Sequence, residues 1–551
     1  MLRLLPLLLL ATVLTSAVAA PRCERLLVGG TVHLSDGPQR LEVAIAEGRI
    51  VALVPPDQAK AWRAAAEVVD LAGAHVYPGL TEGHGHFVGY GAALEQVDLV
   101  GTASYAEVVS RVKAAADKLP AGSWVLGRGW DQNDWPDKGL PAHAALSAAL
   151  PDRPVLLRRV DGHAVLLNAR AQALAGITGE SPEPAGGRIL RDASGAPTGV
   201  LVDAAADLVE RVLPRPTAAD IERRILLAGR TLASFGLTSI HDAGTTRAEL
   251  AVLRGLERNG RLPVRVYAIL DGGDDELLAA EFGNGPWLSR SGMLAVRAVK
   301  LYADGALGSR GAALSAPYSD EPGSRGLEVT PSARLADVIR RAAKAGFQPC
   351  VHAIGDAAVT RMLDIYEQVL GAGSTLRPRI EHAQIVRPED VPRFAKLGVI
   401  AAVQPTHCTS DMPWAPRRLG AERTPWAYRW RSLLAAGARL ELGSDVPVES
   451  PDPRLGMWAA VTRRPPEGTA EPGWNLPEAL TRAEAIAGFT AWPAYAAFEE
   501  GWRGAIAPAL AADLTVLDRS LEEGDPATIL QVRVLRTIVA GRDAFVAGGT
   551  T

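Results

Sequence analysis

His84 and His86, two histidines separated by a single glycine, follow a short β-rich run. Side chains at positions i and i+2 of an extended chain project to the same side, so both imidazoles can reach one cation. An isolated H-x-H pair also occurs in polar loops, where both histidines are solvated. The chemistry that this pair would support is the binding of a divalent metal ion.

Two further histidines and an aspartate follow later apolar runs in the same manner. His352 and His382 each end such a run, and Asp445 follows another. One such histidine alone would more often be a structural hydrogen-bonding residue than a ligand. If the runs are parallel strands of a single barrel, however, these side chains converge on one point.

Lys300 lies within the run 296–302, which is apolar apart from this lysine and Arg297. Burial of an ammonium without a partner is costly, so this lysine requires an explanation. One interpretation is a salt bridge with Asp304. The other is reaction with carbon dioxide to give an anionic carbamate that can bridge two metal ions, and the neighbouring ligand-type residues favour it.

Short apolar runs separated by helical stretches predict the strands that position these side chains. The eight runs cover residues 74–80, 237–240, 264–270, 296–302, 348–351, 378–380, 399–403 and 439–442. They predict an α/β fold, a (β/α)8 TIM-like barrel over 74–499 with its chemistry at the carboxyl ends of the strands. The long interval after the first run predicts an inserted lid or substrate subdomain at 91–233.

Both ends of the chain are rich in β-type residues. Residues 21–73 and 500–551 are each too small to fold alone, which predicts one small β-sandwich domain built from both termini. Residues 1–20 have a basic start, a leucine-rich middle and a small-residue cleavage site, as in a secretory signal peptide. We expect an exported protein, periplasmic or secreted, without stable membrane insertion after cleavage; the alternative is an uncleaved anchor.

The composition and the missing motifs exclude several functional classes. The formal net charge is −4 and no basic run stands out, so the chain has no electrostatic footprint for nucleic acid. Three cysteines are too few for a disulfide-based scaffold, and the sequence does not decide whether any of them pair. The chain contains neither the G-x-S-x-G of serine hydrolases nor a nucleotide-binding glycine motif.

The motifs taken together resemble the amidohydrolase superfamily, and within it the family 3 branch that includes the N-substituted formamide deformylases. The resemblance covers nearly the whole chain after residue 20. It rests on H-G-H, V-K-L-Y-A-D-G-A-L-G-S-R, H-A-I-G-D, I-E-H-A-Q, V-Q-P-T-H and L-G-S-D-V-P-V, at residues 84–86, 299–310, 352–356, 380–384, 403–407 and 442–448. Glu82 stands where many relatives carry an aspartate.

The resemblance implies a metal-dependent hydrolase with two divalent ions, in the first place zinc, although manganese, iron or nickel would suit the same ligands. The implied metal ligands are His84, His86, Lys300, His352, His382 and Asp445. The first two histidines and Asp445 would hold one ion, the last two histidines the other, and carbamylated Lys300 would lie between them. Metal-activated hydroxide would attack the substrate, with Asp445 as general acid and base. Without the carbamate, a single-metal version stays open.

The implied reaction is hydrolysis of a non-peptide carbon–nitrogen bond in a small-molecule substrate, such as an N-formyl or N-acyl amide. The same centre would also attack a lactone, an ester or a carbamate. An inert exported binding protein is the alternative outside catalysis, and a homodimer stays open. The predicted substrate-binding residues are His163, His407 and Trp130. His241 is interpreted as structural.

Overall fold

The computed structural model describes residues 23–64, 66–159, 164–184, 187–203, 205–466 and 473–549. The predicted signal peptide at 1–20 and the predicted substrate-binding residue His163 lie outside the described residues. Cys23, Cys350 and Cys408 are buried free thiols, so none of the three pairs with another. Within the described ranges, every helix is too short or too polar to cross a membrane.

Eight parallel strands form the central barrel, which confirms the predicted fold class. In chain order, β1 to β8 are Leu80–Gly85, Leu237–Thr245, Arg265–Asp271, Leu294–Tyr302, Gln348–Ala353, Arg379–His382, Ile400–Val403 and Arg439–Leu442. Strands adjacent in this order are hydrogen-bonded neighbours, and their mostly aliphatic residues are buried, as expected for a parallel sheet covered by helices. A short strand, Trp287–Leu288, pairs antiparallel with β4.

The barrel closes where β1 meets the segment after β8. The backbone N–H of His86 donates to the carbonyl of Val446 (2.7 Å), and that of Asp445 donates to the carbonyl of His84 (2.8 Å). Glycine is required at Gly83, because a Cβ there would collide with the backbone of β8. This seam brings the end of β1 directly beside the loop that follows β8.

Helices cover the outside of the barrel. Phe87–Leu94 follows β1, and Ala218–Ser234 precedes β2; the latter falls inside the interval predicted as an insertion, yet it buries Ile225 and Leu232 in the barrel core. The helices after β2 to β8 are Arg247–Arg258, Asp275–Asn284, Ser332–Ala345, Asp356–Leu370, Val391–Leu397, Pro405–Asp411, Ala415–Arg423, Trp430–Ala435, Pro453–Thr462, Arg482–Gly488 and Ala491–Ala496, with 3-10 turns at Thr424–Trp426 and Leu476–Glu478.

Two sheets made from both ends of the chain form a β-sandwich. The first has the strand order Arg49–Val54, Glu42–Ala46, Arg25–Val28, Glu67–Asp70, and the second has the order Arg542–Val546, Val534–Val539, Leu514–Leu517, His75–Pro78, Thr31–Leu34, Gly37–Gln39. Apolar side chains of both sheets, Ile45 and Leu514 among them, share one core. Short helices flank the strands at Pro56–Gln58, Lys60–Arg63 and Thr528–Gln531.

The first predicted barrel run, 74–80, divides between the two units. His75–Pro78 belongs to the sandwich, where it pairs with Leu514–Leu517, and the barrel strand begins only at Leu80. The dipeptide Pro78-Gly79 interrupts the run, because proline lacks the N–H needed to continue a strand ladder. The strand that carries the H-x-H pair is therefore anchored to the sandwich at its amino end.

The insertion between β1 and β2 has its own sheet and core. Its strand order is Gly187–Arg191, Pro197–Asp203, Ala164–Leu167, Val155–Arg159, Val125–Trp130, Val97–Asp98. Its helices are Tyr105–Ala116, Ala144–Ala149, Ala169–Leu174 and Asp207–Glu210, with a 3-10 turn at Gln132–Asp134. The insertion leaves the barrel at the carboxyl end of β1, the end at which barrel enzymes carry their sites.

A buried ion pair joins the barrel to the sandwich, and we expect its disruption to be strongly destabilising. Arg265 of β3 donates from Nε and Nη2 to Asp513 at 2.6 and 2.9 Å, and both side chains are only 5% exposed. Arg265→Met would leave a buried carboxylate without its partner and lower the free energy of unfolding by about 3–5 kcal/mol. Chemical denaturation measures the change.

The matched control is Arg247→Met. Arg247 pairs with Asp274 at 2.6 Å, but its side chain is 53% exposed and the pair is screened by solvent, so the expected loss of stability is much smaller than that of Arg265→Met. The double variant Arg265→Met, Asp513→Leu removes both charges and should recover much of the loss. A loss for Arg265→Met no larger than that of the control would contradict the assignment.

Candidate metal centre

Imidazoles from β1 and a carboxylate from the loop after β8 meet at the carboxyl end of the barrel. Asp445 Oδ1 lies 3.1 Å from His86 Nε2 and 3.5 Å from His84 Nε2. The ligand atoms of these three residues lie within 4.8 Å of one another. The structure thus brings together the predicted donors of the first metal position.

His382 and His352 extend the group of imidazoles. The His382 ring centroid lies 5.1 Å from that of His84 and 4.5 Å from that of His352. His382 and Asp445 both adopt left-handed backbone angles, with φ of 73° and 61°. Residues other than glycine rarely hold this conformation, and such strain is concentrated at functional sites. The backbone therefore turns sharply at two of the predicted ligands to aim them inward.

Lys300 projects from β4 into the same region and is 1% exposed. Its Nζ lies 3.4 Å from His84 Nε2 and 5.0 Å from the Tyr302 ring. Among the described residues, no carboxylate lies within 4.0 Å of this ammonium, so the salt bridge considered from sequence does not form. Burial lowers the pKa of Lys300 from its ordinary value. The Lys300 ammonium is thus buried beside the His84 imidazole with no carboxylate in contact, and the negative charges of Glu381 and Asp445 act on it only from a greater distance.

Asp304 instead organises two loops around the centre. Its carboxylate accepts backbone N–H bonds from Ala313 (2.8 Å), Ile354 (3.0 Å) and Gly355 (2.7 Å). One of its oxygens lies 3.6 Å from His352 Nε2. Burial raises the pKa of Asp304 to about 7, although the backbone donors oppose this rise. This aspartate holds the loops after β4 and β5 together.

A buried layer of charged side chains lies beneath the imidazoles, and sequence reasoning missed it. Glu381 contacts His84 Nδ1 and accepts two hydrogen bonds from Arg379, at 2.7 and 2.9 Å. Arg379 also pairs with Glu441 and lies 3.1 Å from His241 Nδ1. All are at most 1% exposed. The signal available in the sequence was a pair of oppositely charged residues, Arg379 and Glu381, at i and i+2 of a barrel strand, where both side chains project to the same side.

This layer fixes which nitrogen of His84 faces the centre. Burial raises the pKa of Glu381, but the charge of Arg379 and the hydrogen bonds from Arg379 and His84 outweigh it and hold that pKa well below its usual range. The resulting carboxylate accepts the Nδ1 proton of His84, which leaves Nε2 as the free donor. Gln404 Oε1 acts in the same way on His382 Nδ1, at 2.7 Å. His241, interpreted as structural from the sequence, is buried in this layer.

The protonation states of these residues fit a bound cation. Burial, followed by the charge of Lys300, lowers the pKa of His84 to about 4 and that of His352 to about 3. Both rings are therefore neutral at pH 7, the form in which imidazole binds metals. His352 Nε2 is also buried without a hydrogen-bond partner. Neutral imidazoles and a carboxylate are the ligands that divalent transition metals bind, so the residues present fit such an ion.

The other predicted substrate-binding residues fall in different places. His407 lies beside the centre, with its ring stacked on His382 at 6.1 Å. Trp130 is fully buried in the core of the insertion, where it stacks near Trp135 and its Nε1 donates to the Leu157 carbonyl. The structure therefore gives Trp130 a packing role, because none of its surface is free for a substrate.

Exposed apolar side chains occur on the loops that follow β4 and β8. Leu327, Val329 and Val448 are 65%, 53% and 60% exposed. The backbone N–H of Val329 donates to the Ala303 carbonyl, which fixes its loop next to β4. Tyr302, the last residue of β4, is 38% exposed and lies 5.7 Å from the His352 ring. The loops after β4 and β8 therefore carry exposed apolar side chains, and Tyr302 lies beside one of the predicted metal ligands.

A parallel eight-strand barrel with imidazoles and a carboxylate gathered at its carboxyl ends defines the class of metal-dependent hydrolases. Residues 67–545 match the model of the amidohydrolase family. The chain therefore belongs to the amidohydrolase family.

Individual relatives agree with this assignment. The chain is 32% identical over 485 residues to the YtcJ protein of Bacillus subtilis, covering 87% of this chain and 90% of that protein. It is 30% identical over 500 residues to an N-substituted formamide deformylase of Arthrobacter pascens, covering 86% and 89%. A crystal structure of a metal-dependent hydrolase from Pyrococcus horikoshii superimposes with a TM-score of 0.77 at 29% identity, covering 91% and 99%.

Glu381→Gln tests the layer beneath the centre. A neutral amide is a weaker acceptor for His84 Nδ1–H, so we expect the affinity for the first metal ion to fall by about 10–100-fold. Titration of the metal-free protein with zinc against a chromophoric chelator measures this. Glu367→Gln, on an outer helix and paired only at the surface, is the control. An unchanged affinity in a folded variant would show that Glu381 is merely structural.

Proposed function

We propose that the protein hydrolyses a carbon–nitrogen bond in a small non-peptide amide, of the N-formyl or N-acyl type. The observation that supports this most strongly is the convergence of His84, His86, His382 and Asp445 at the mouth of an amidohydrolase-family barrel. Similarity to a deformylase that acts on N-substituted formamides supports the choice of bond.

The predicted ligands would hold one or two divalent ions, in the first place zinc. When bound, such ions supply Lewis acidity, which makes water more acidic and a carbonyl more electrophilic. Asp445 would take the proton of the attacking water at its carboxylate and deliver it to the nitrogen of the leaving amine. Burial raises the pKa of Asp445, but a hydrogen bond from His86 and the neighbouring imidazoles of His84 and His382 outweigh it and hold that pKa well below its ordinary value. The carboxylate is therefore ionised and able to accept that proton at neutral pH.

Carbamylation of Lys300 is the second part of the proposal. The unmodified ammonium is buried beside imidazoles without a carboxylate in contact, which is an expensive arrangement. Reaction of the neutral amine with carbon dioxide forms an N–C bond and releases one proton, and it replaces the cation with an anion. The carbamate anion would be a suitable ligand for metal ions held by the surrounding histidines and Asp445. The lowered pKa of Lys300 favours the neutral amine, which is the form that reacts with carbon dioxide.

The exposed apolar side chains on the loops after β4 and β8 support a substrate whose amine or acyl part carries an alkyl or aryl group. Leu327, Val329, Val448 and the Tyr302 ring would contact such a group, whereas a charged one would lose hydration there. A lactone, ester or carbamate substrate remains the second candidate, because the same residues would serve any activated carbonyl.

Turnover of a substrate panel by the metal-loaded protein tests the proposal. The panel contains N-benzyl and N-alkyl formamides, the matching acetamides, ureas, lactones and esters. We expect formamides or acetamides with apolar substituents to be hydrolysed with the highest kcat/KM. A higher kcat/KM for an ester or lactone of the same shape would contradict the proposal that a carbon–nitrogen bond is cleaved. Fewer than about one bound metal ion per chain would overturn the metal-dependent mechanism.

Export remains part of the proposed function. It is supported by the signal-like character of residues 1–20. Expression with these residues, followed by cell fractionation and amino-terminal sequencing, should give an exported protein that begins close to residue 20. Retention of the intact amino terminus in the cytoplasm would contradict this.

A further inference from the structure

We infer that Asp411 accepts a hydrogen bond from the N–H group of the scissile amide, and that this bond selects secondary amides over esters of the same shape. The inference rests on the proposed function and deepens it, because it names the substrate group beside the cleaved bond that the protein recognises. Asp411 is not among the site residues predicted from the sequence.

Asp411 lies at the carboxyl end of the barrel, close to the metal centre. It is the last residue of the helix Pro405–Asp411, which follows β7, and His407 precedes it by one helical turn. Residues four apart in a helix lie on the same side, with their Cβ atoms about 5–6 Å apart. A ring nitrogen of His407 lies within 4.8 Å of ligand atoms of His382 and Asp445. Asp411 is therefore about one side chain away from the centre.

Two hydrogen bonds fix one oxygen of the Asp411 carboxylate. Gln384 Nε2 donates to Oδ2 at 2.9 Å, and the Tyr428 hydroxyl donates to the same oxygen. The two donors are themselves tied together, because the backbone N–H of Tyr428 donates to the Gln384 carbonyl at 2.7 Å. Beside them, the N–H of Val386 donates to the Trp426 carbonyl at 2.9 Å. The carboxylate is thus held in one orientation.

The other oxygen of Asp411 is open. Among the described residues Oδ1 has no hydrogen-bond partner and no ion pair, and it is not enclosed by the protein as the oxygens of Glu441 are. Burial raises the pKa of Asp411 to about 6, although the hydrogen bonds from Tyr428 and Gln384 oppose this rise. A half-buried, oriented carboxylate with one open oxygen is a strong acceptor for a donor supplied by a ligand.

A secondary amide carries such a donor directly beside its carbonyl carbon. Asp411 would accept the amide N–H, and the lone pair of the same nitrogen would stay available for the proton that Asp445 delivers. An ester has an oxygen without a hydrogen at this position, and its lone pairs would face the Asp411 carboxylate. A site built to accept an N–H bond rejects an analogue that lacks it, because the polar group of the protein is left unpaired.

Paired kinetics on N-benzylformamide and benzyl formate test the inference, because the two molecules have the same shape and differ in the N–H group. If the corresponding acetamide and acetate are turned over faster, they replace this pair. The metal-loaded protein is assayed at about pH 8, where Asp411 is ionised. Circular dichroism checks the folding of each variant.

The test variant is Asp411→Asn. Tyr428 and Gln384 both donate to the Oδ2 position, so the amide oxygen of the asparagine would occupy it and the NH2 group would face the substrate. The substitution therefore changes an acceptor into a donor at constant size. The control is Asp364→Asn on the outer helix Asp356–Leu370, where the side chain is 64% exposed.

In Asp411→Asn we expect kcat/KM for the amide to fall by about 10–100-fold, the range for loss of a hydrogen bond to a charged group. The value for the ester should stay within about threefold, as should both values in Asp364→Asn. Equal losses for the two substrates, or no loss for the amide, would overturn the inference. Failure of the unaltered protein to hydrolyse any amide would instead overturn the proposed function.

Tyr428→Phe provides a second test that keeps the Asp411 charge. It removes one of the two hydrogen bonds that orient the carboxylate. We expect a smaller loss of kcat/KM, about 3–10-fold and confined to the amide. The same loss for amide and ester would show that Asp411 and Tyr428 only hold the loops together.

Discussion

Replacement of Asp445 by asparagine is expected to lower kcat/KM by about 10³-fold while leaving the fold intact, the range expected for loss of a general acid–base residue. The Asp445 carboxylate lies 3.1 Å from His86 Nε2 and 3.5 Å from His84 Nε2, and it is ionised at neutral pH. Its oxygens also lie within 4.8 Å of ring nitrogens of His382 and His407. Asparagine keeps the size of aspartate and tolerates the left-handed φ of 61° found here. It cannot, however, take up a proton.

The control for this substitution is Asp452→Asn on the same loop. Asp452 caps the helix Pro453–Thr462 by accepting from the Arg454 N–H, and asparagine caps helices equally well. Its kcat/KM should stay within about twofold of the original value, since it makes no contact with the donor residues. Asp445→Asn with near-normal kcat/KM on the best substrate would remove Asp445 from the proposed proton transfer.

Replacement of Lys300 by alanine is expected to lower kcat/KM by at least about 100-fold and to weaken metal binding. The physical reason is the loss of the proposed carbamate from a fully buried position between the imidazoles. Formate or acetate added at high concentration should restore part of the activity, because a small carboxylate can enter the space left by the side chain. Lys300→Arg should be inactive, since it keeps the positive charge and cannot form the carbamate.

Magnetic resonance provides a direct test of the modification. Protein prepared with carbon-13-labelled bicarbonate should show a carbamate carbon signal that is missing from Lys300→Ala. Lys344→Ala is the control, because this lysine is exposed near the end of an outer helix. An active Lys300→Arg variant, or metal-loaded protein with an unmodified lysine, would show that the residue acts as a cation.

The candidate site shows which functional residues can be predicted from the sequence alone. His84, His86, His352, His382 and Asp445 were predictable because each stands where a buried run ends, and parallel strands of a barrel end around one point. Lys300 was predictable because a charge within an apolar strand needs a partner. Glu381 and Arg379 carry the same signal, but their role depends on contacts across the barrel.

Composition and periodicity thus determined the barrel, the sandwich made from both termini, the insertion and the ends of the strands that carry the donors. Those features can be read from local patterns, because an alternating or continuous apolar run indicates a half-buried or fully buried strand. Only the tertiary structure decided that Trp130 packs inside the insertion, that Asp304 bonds loops and leaves Lys300 unpaired, and that His407 lies beside Asp445. These outcomes depend on ångström-scale distances between residues far apart in the chain, and such distances arise only when the barrel has closed.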